Sequence, residues 1–226
     1  MQVGNARYLK TGDLPETLAV FPLAGALLLP GSQLPLNVFE PRYLSLFDDA
    51  LAGQRLIGIV QPSFAEQRDE AGNAPVPALC QVGCIGRITS FTETGDGRYV
   101  ISLTGVCRFR LLNEVTDHRA YRSFKIAPFT ADLSPGDDES HVDRQALLAA
   151  FKAYLDANKL EADWESVERA SNTTLVNSMA MMSPYGPAEK QALLEAPDLK
   201  TRAETLIAIT EIVLARTFGD IGTVLQ

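Results

Sequence analysis

LAVFPLAGALLLPGSQLPLNVFEPRYLSLFDDALAGQRLIGIVQ, residues 18–61, is the stretch on which the fold turns. Leu18–Leu23 is a short apolar strand that stops at turn material around Gly25. In Gln33–Phe39, apolar Leu34, Leu36 and Val38 alternate with Gln33, Pro35 and Asn37, so one face is set for a core and the other for water or a partner. Pro35 offers no backbone donor, which predicts an edge strand or a bulge. A helix follows: Pro41 suits its first position, Tyr43, Leu44, Phe47 and Leu51 recur at helical spacing, and Gly53 is a stop. Leu56–Val60 is nearly continuous apolar sequence, as expected of a strand covered on both faces.

Working outward, residues 63–78 are charged or rich in Pro and Gly and read as an exposed loop. The β pattern resumes at Leu79 and runs through Val82, Cys84, Ile85 and Ile88 to Phe91. Gly95-Asp96-Gly97 marks a hairpin, followed by alternating Tyr99, Ile101 and Leu103. A further strand has Val106, Arg108, Arg110 and Leu112 on one parity and Cys107, Phe109 and Leu111 on the other; Tyr121–Phe129 is the last. Several short strands with one embedded helix predict a barrel-like β module.

Thr130–Ser140, with Ser134-Pro135-Gly136-Asp137-Asp138-Glu139, reads as a solvated polar linker. Beyond it the pattern is helical. Leu147, Leu148, Phe151, Tyr154 and Leu155 form one apolar stripe. A second helix is expected from the N-cap Asp163 through Trp164, Val167, Leu175, Val176 and Met179 to Met182, broken at Ser183-Pro184. Pro187 opens a shorter helix that closes at Pro197, and Asp198 caps the last, which faces Leu206, Ile207, Ile209, Val213 and Leu214 inward.

Composition limits function. Twenty Lys+Arg against 28 Asp+Glu leave a net charge of −8 and a pI near 4.8, with no basic run, which disfavours nucleic acid and anionic membranes as partners. No apolar stretch approaches the ~20 residues needed to cross a bilayer. The first eight residues lack the order of a secretory signal, and three cysteines are no disulfide framework, so a cytoplasmic location is expected. Cys80 and Cys84 have no His or acidic residue at ligand spacing, so they read as buried thiols, not a metal site. His118 and His141 have no Ser or Cys partner in a recognisable motif. No cofactor motif is present, and nothing sets an oligomeric state.

Two stretches carry a resemblance. Residues 18–61, with a "PL" strand end, a "PG" turn, an "LPL" strand and Phe39-Glu40-Pro41-Arg42-Tyr43, are similar to the opening of the Lon protease N-terminal domain, in the form of its single-domain branch. Val82-Gly83-Cys84-Ile85-Gly86-Arg87-Ile88, Leu103-Thr104-Gly105-Val106-Cys107-Arg108-Phe109-Arg110 and the helix pair from Pro187 to Ala203 continue it, over roughly 18–216. The resemblance implies an α+β fold: a PUA-like β pseudo-barrel over 1–130, a linker over 131–141, and a helical bundle over 142–226. It also implies a non-enzymatic role in binding polypeptide, because the sequence holds no G-x-x-x-x-G-K-[ST] loop and no room for a protease module. The alternative is binding of RNA or a small molecule through the β module, with Arg87, Arg98, Arg108 and Arg110 as a patch. An enzyme would need a deep polar pocket of perturbed ionisable groups.

The candidate binding residues are Leu27, Leu28, Leu29, Leu36, Phe39, Glu40 and Arg42. Ala26–Pro30 is apolar but flanked by Gly25 and Gly31; either it is an exposed sticky loop or its leucines extend a buried strand. Glu40 and Arg42 either sit at the mouth of a strand–helix groove, or Glu40 simply complements the helix N-terminus. Met179, Met181 and Met182, near Tyr185, either form an adaptable surface or belong to the core.

Overall fold

The computed structural model describes residues 1–63, 78–134 and 138–223; the loop expected at 63–78 falls almost wholly outside them. The chain forms two units, Met1–Pro135 with Gly186–Leu194, and Gly136–Tyr185 with Glu195–Gln226.

The first unit opens with a small hairpin, β1 (Gln2–Val3) and β2 (Ala6–Arg7). Its main sheet contains β3 (Thr17–Pro22), β4 (Gln33–Val38), β5 (Leu56–Val60), β6 (Val82–Glu93), β7 (Tyr99–Val115) and β8 (Ser123–Pro128), with helix α1 (Pro41–Ala52) between β4 and β5. The strand order is β4-β7-β6-β5-β3-β8, and β8 also pairs with β7, which closes the sheet on itself and leaves β4 as a flap on one neighbour. Only β3 and β5 run parallel. All five residues of β5 are buried, as an interior strand covered on both faces requires.

Pro41 stands at the start of α1, which buries Tyr43, Leu46 and Phe47. Phe21 of β3 meets the rings of Tyr43 and Phe47 edge-on at 4.4 and 5.9 Å. The two strands expected after the hairpin are one 17-residue strand. The register moves from Ile85↔Cys107 to Gly86↔Gly105, so Val106 is the extra residue of a bulge. That bulge turns Val106 and Cys107 both into the interior, where strict alternation would have exposed one of them. Burial pushes the Cys107 thiol up to about 12, so it packs as an inert apolar group.

Arg108, 4% exposed, is the main departure from an apolar interior. Its Nε and Nη2 donate to the two carboxylate oxygens of Asp132 at 2.9 and 2.8 Å, and Nη1 donates to the Leu194 carbonyl. Asp132 lies in a short 3-10 turn, Thr130–Leu133, and Leu133 is 1% exposed, so this part of the expected linker is packed structure. Helix α5 (Pro187–Glu195) is held to the barrel by a second polar set. Gln61 donates to the Pro187 carbonyl and to Gln191 while accepting from the Gly25 amide, and Gln191 donates to the Val82 carbonyl.

The second unit contains α2 (Arg144–Asn158), α3 (Trp164–Arg169), α4 (Asn172–Met182) and α6 (Leu199–Thr223). Asp143, Asp163, Ser171 and Asp198 each accept from an amide three residues on, which satisfies donors that a helix N-terminus leaves free. The single helix expected from Asp163 to Met182 is two. Ala170 is extended (ψ 143°) and Ser171 starts α4. The carbonyls released at the break are taken by Arg144, whose guanidinium donates to Val167, Glu168 and Ala170 and to the Asn172 side chain. Glu139 is likewise not a solvated linker residue: its carbonyl and carboxylate accept from Asn172 and the Thr173 amide. No helix among the described residues is long and apolar enough to cross a membrane.

Candidate functional site

Leu27, Leu28 and Leu29 are 3%, 1% and 0% exposed, so the open-loop reading of that segment is replaced by the buried one. Backbone bonds from Gly31 to Gly105 and from Gly105 to Ser32 tie its C-terminal end against β7. Leu36 points inward at 9% exposed. Phe39 does the opposite: at 62% exposed, it stands in solvent where β4 hands over to α1. Glu40 makes no side-chain cap; its carboxylate takes Arg42 instead, at 2.9 Å, with both groups about half exposed. Such a pair is worth ~0–1 kcal/mol and fixes little. Arg42 also lies 4.5 Å above the Tyr43 ring.

The β4 edge is a poor template for strand addition. Gly105 donates to Ser32, in register with Gln33↔Thr104, so even-numbered residues bond to β7 and Gln33, Pro35 and Asn37 turn their backbone outward. Pro35 removes the central donor of that outward row, a device that blocks edge pairing.

A larger opening lies in the helical unit. A groove of ≈590 Å³ is lined by Phe151 and Leu155 of α2, Leu160 of the following turn, and Leu175, Met179 and Met182 of α4, with few polar groups. Met179 is buried but Met182 is 84% exposed and Leu160 52%. Trp164, the chain's one tryptophan, is 39% exposed and meets Phe151 edge-on at 6.2 Å. The methionines thus divide between core and surface. Leu160 follows Lys159, a left-handed residue (φ 55°) that ends α2. Met182 is the last residue of α4, where Ser183-Pro184 prevents a further turn from covering it. Glu161 lines the groove, and the residues that follow it carry three more carboxylates (Asp163, Glu165, Glu168) against Arg169.

A smaller pocket of ≈240 Å³ holds Asp49, Arg119 and Tyr121. Tyr121 donates to Asp49 and accepts from Arg119. Burial first, and the Asp49 bond second, push its phenol up to about 12. It is held protonated as a tie between α1 and the entry to β8. Because the folded-state value is raised, this stabilisation is complete below the unfolded tyrosine value of ~10 and is lost as pH climbs toward 12. Ultraviolet titration of Tyr121→Phe should therefore lack a phenolate that forms late in the parent; an unchanged high-pH limb would show the tie is absent. The arginine patch considered for RNA does not assemble, since Arg108 is buried on Asp132 and Arg98 pairs with Asp96.

The comparisons agree with this architecture. The family model described as the ATP-dependent protease La (LON) substrate-binding domain matches residues 17–211. The chain belongs to this family. Among LON relatives, the Lon protease of Parabacteroides distasonis is 32% identical over 209 residues, covering 88% of this chain and 24% of its own length. Lon protease 2 of Myxococcus xanthus is 27% identical, covering 87% and 24%. The chain thus spans about a quarter of the length of these relatives. The crystal structure of a Lon N-terminal domain protein from Xanthomonas campestris superposes with a TM-score of 0.59 at 23% identity, covering 85% of this chain and 97% of that one. The N-terminal domain of a Mycobacterium avium complex Lon protease gives 0.57 at 17%, covering 86% and 98%. These likenesses establish the LON N-terminal fold, α+β with a closed β unit and helices.

Proposed function

We propose that this LON-family chain is a non-enzymatic recognition module that binds non-native polypeptide, in the cytoplasm, through the groove of its helical unit. The observation that carries the reading is the open apolar lip. Met182 stands in solvent beside Leu160, over a cleft whose floor is Leu175 and Met179. Thioether chains adapt to different partner shapes, which suits a site that takes many sequences. The family match supports the same reading, because the matched model is that of a substrate-binding domain. Glu161 in the lining, with three carboxylates following it in sequence, favours apolar segments flanked by Lys or Arg, and steering of this kind weakens with salt. Phe39, with Glu40 and Arg42 next to it in the chain, is a second contact that works through side chains, since Pro35 closes the edge to backbone pairing.

Trp164 is a built-in reporter for the groove. Titration with an unfolded model protein, or with an apolar peptide carrying flanking lysines, should shift its emission. Met182→Glu, at an exposed position that leaves packing intact, should weaken binding at least about tenfold, near 1.4 kcal/mol. The same peptide flanked by glutamates should bind more weakly at low salt. Full affinity in Met182→Glu removes the groove from the reading; no binding of any polypeptide removes the function.

A further inference from the structure

Three arginines line one pocket of the β unit, in a chain whose net charge is −8. Arg7 from β2, Arg55 from the turn after α1, and Arg87 from β6 line an open cleft of ≈450 Å³ together with Tyr8, Gln54 and Asp13. Arg87 is aimed by two bonds, from Nη1 to the Tyr8 hydroxyl and to the Gln54 carbonyl, both 3.0 Å. Among the described residues, none of the three arginines has a carboxylate within ion-pair distance. Asp13 is present, but its carboxylate accepts from the Leu9 and Lys10 amides at 2.7 and 3.1 Å, the bonds that hold it below the usual carboxylate range.

Arg55 adds a second observation. It adopts φ 61°, a conformation in which a side chain is strained and glycine is not. Its backbone is fixed there from both sides, the amide donating to the Ala50 carbonyl of α1 and the carbonyl accepting from Ile88 of β6. Glycine would satisfy those bonds with less strain. An arginine there costs the fold stability, and without a carboxylate partner its charge gains nothing from the chain itself. Strain of this sort concentrates at sites that act on something.

We propose that Arg7, Arg55 and Arg87 form an anion site for a compact polyphosphate of the pyrophosphate class. The guanidinium fork matches phosphate oxygens bidentately and stays charged at all physiological pH. Several donors from separate elements suit a ligand with oxygens on more than one centre. The acidic remainder of the surface repels a long polyanion such as RNA, so the ligand is short.

Isothermal titration of the full chain with sodium pyrophosphate, citrate and a single-stranded RNA oligonucleotide tests this. Pyrophosphate is expected to bind most tightly, with affinity falling as salt rises. Arg55→Gly should reduce that affinity about tenfold or more while the free protein melts no lower than the parent. Arg7→Gln, at an exposed position, should do the same and serves if Arg55→Gly folds poorly. Absence of pyrophosphate binding, citrate or RNA binding as tightly, or parental affinity in both variants overturns the proposal. The Met182→Glu variant should bind pyrophosphate normally, so this site and the polypeptide groove stand or fall separately.

Discussion

Asp132→Ala is expected to lower the stability of the β unit by about 3–5 kcal/mol, the cost of leaving a buried charge without its partner. The Arg108 and Asp132 side chains are 5% and 10% exposed, and Asp132 accepts three bonds from Arg108: backbone N–H, Nε and Nη2. Removing the carboxylate takes away three of the bonds Arg108 makes and leaves, in a buried site, a guanidinium that cannot deprotonate. Urea unfolding followed by far-ultraviolet circular dichroism measures the loss. Replacing both groups, as in Arg108→Met with Asp132→Leu, should recover much of it, because the penalty belongs to the orphaned charge and not to the missing pair. A loss below about 1 kcal/mol for Asp132→Ala, the range of exposed pairs, would mean that water reaches Arg108.

Arg108 also marks where sequence reading stopped. On alternation alone it shares a parity with Arg110 and Leu112, which are exposed, and so it reads as surface charge. The bulge at Val106 and the 3-10 turn at Thr130–Leu133 bury it, and both depend on residues distant in the chain. Elements governed by neighbours were legible: Pro41 and the spacing of Tyr43 and Phe47 announce α1, Gly95-Asp96-Gly97 announces the β6–β7 turn, and Leu56–Val60 announces a covered strand. The break at Ala170 was not, because Arg144, 26 residues away, supplies the donors that make it tolerable. The groove was half legible. Its methionines stood out, but Met179 and Met182 fall on opposite sides of the core–surface boundary only because α4 ends where it does.

The largest effect is expected from Gly105→Ala, which should prevent stable folding of the β unit or cost it more than about 4 kcal/mol, the range reached only by severe packing errors. A Cβ at Gly105 would lie 2.2 Å from the Leu29 carbonyl oxygen and 2.8 Å from its carbon, backbone atoms that no side-chain rotation can clear. The Gly105 amide and carbonyl are bonded to Ser32 and Gly31, so the intruding methyl group must push the Leu29–Ser32 turn off β7 and break both bonds. Leu27, Leu28 and Leu29, sealed in the parent, would then lose their seat in the core. The variant should bind a dye for exposed apolar surface and aggregate on concentration. Gly86→Ala is the matched control: there the nearest atoms are side-chain carbons of Leu28 and Leu103 at 3.0 to 3.3 Å, tight contacts with no backbone atom among them, so a smaller loss is expected. If Gly105→Ala melts with Gly86→Ala, the close approach of Leu29 to β7 is wrong, and the three leucines return as a candidate binding surface.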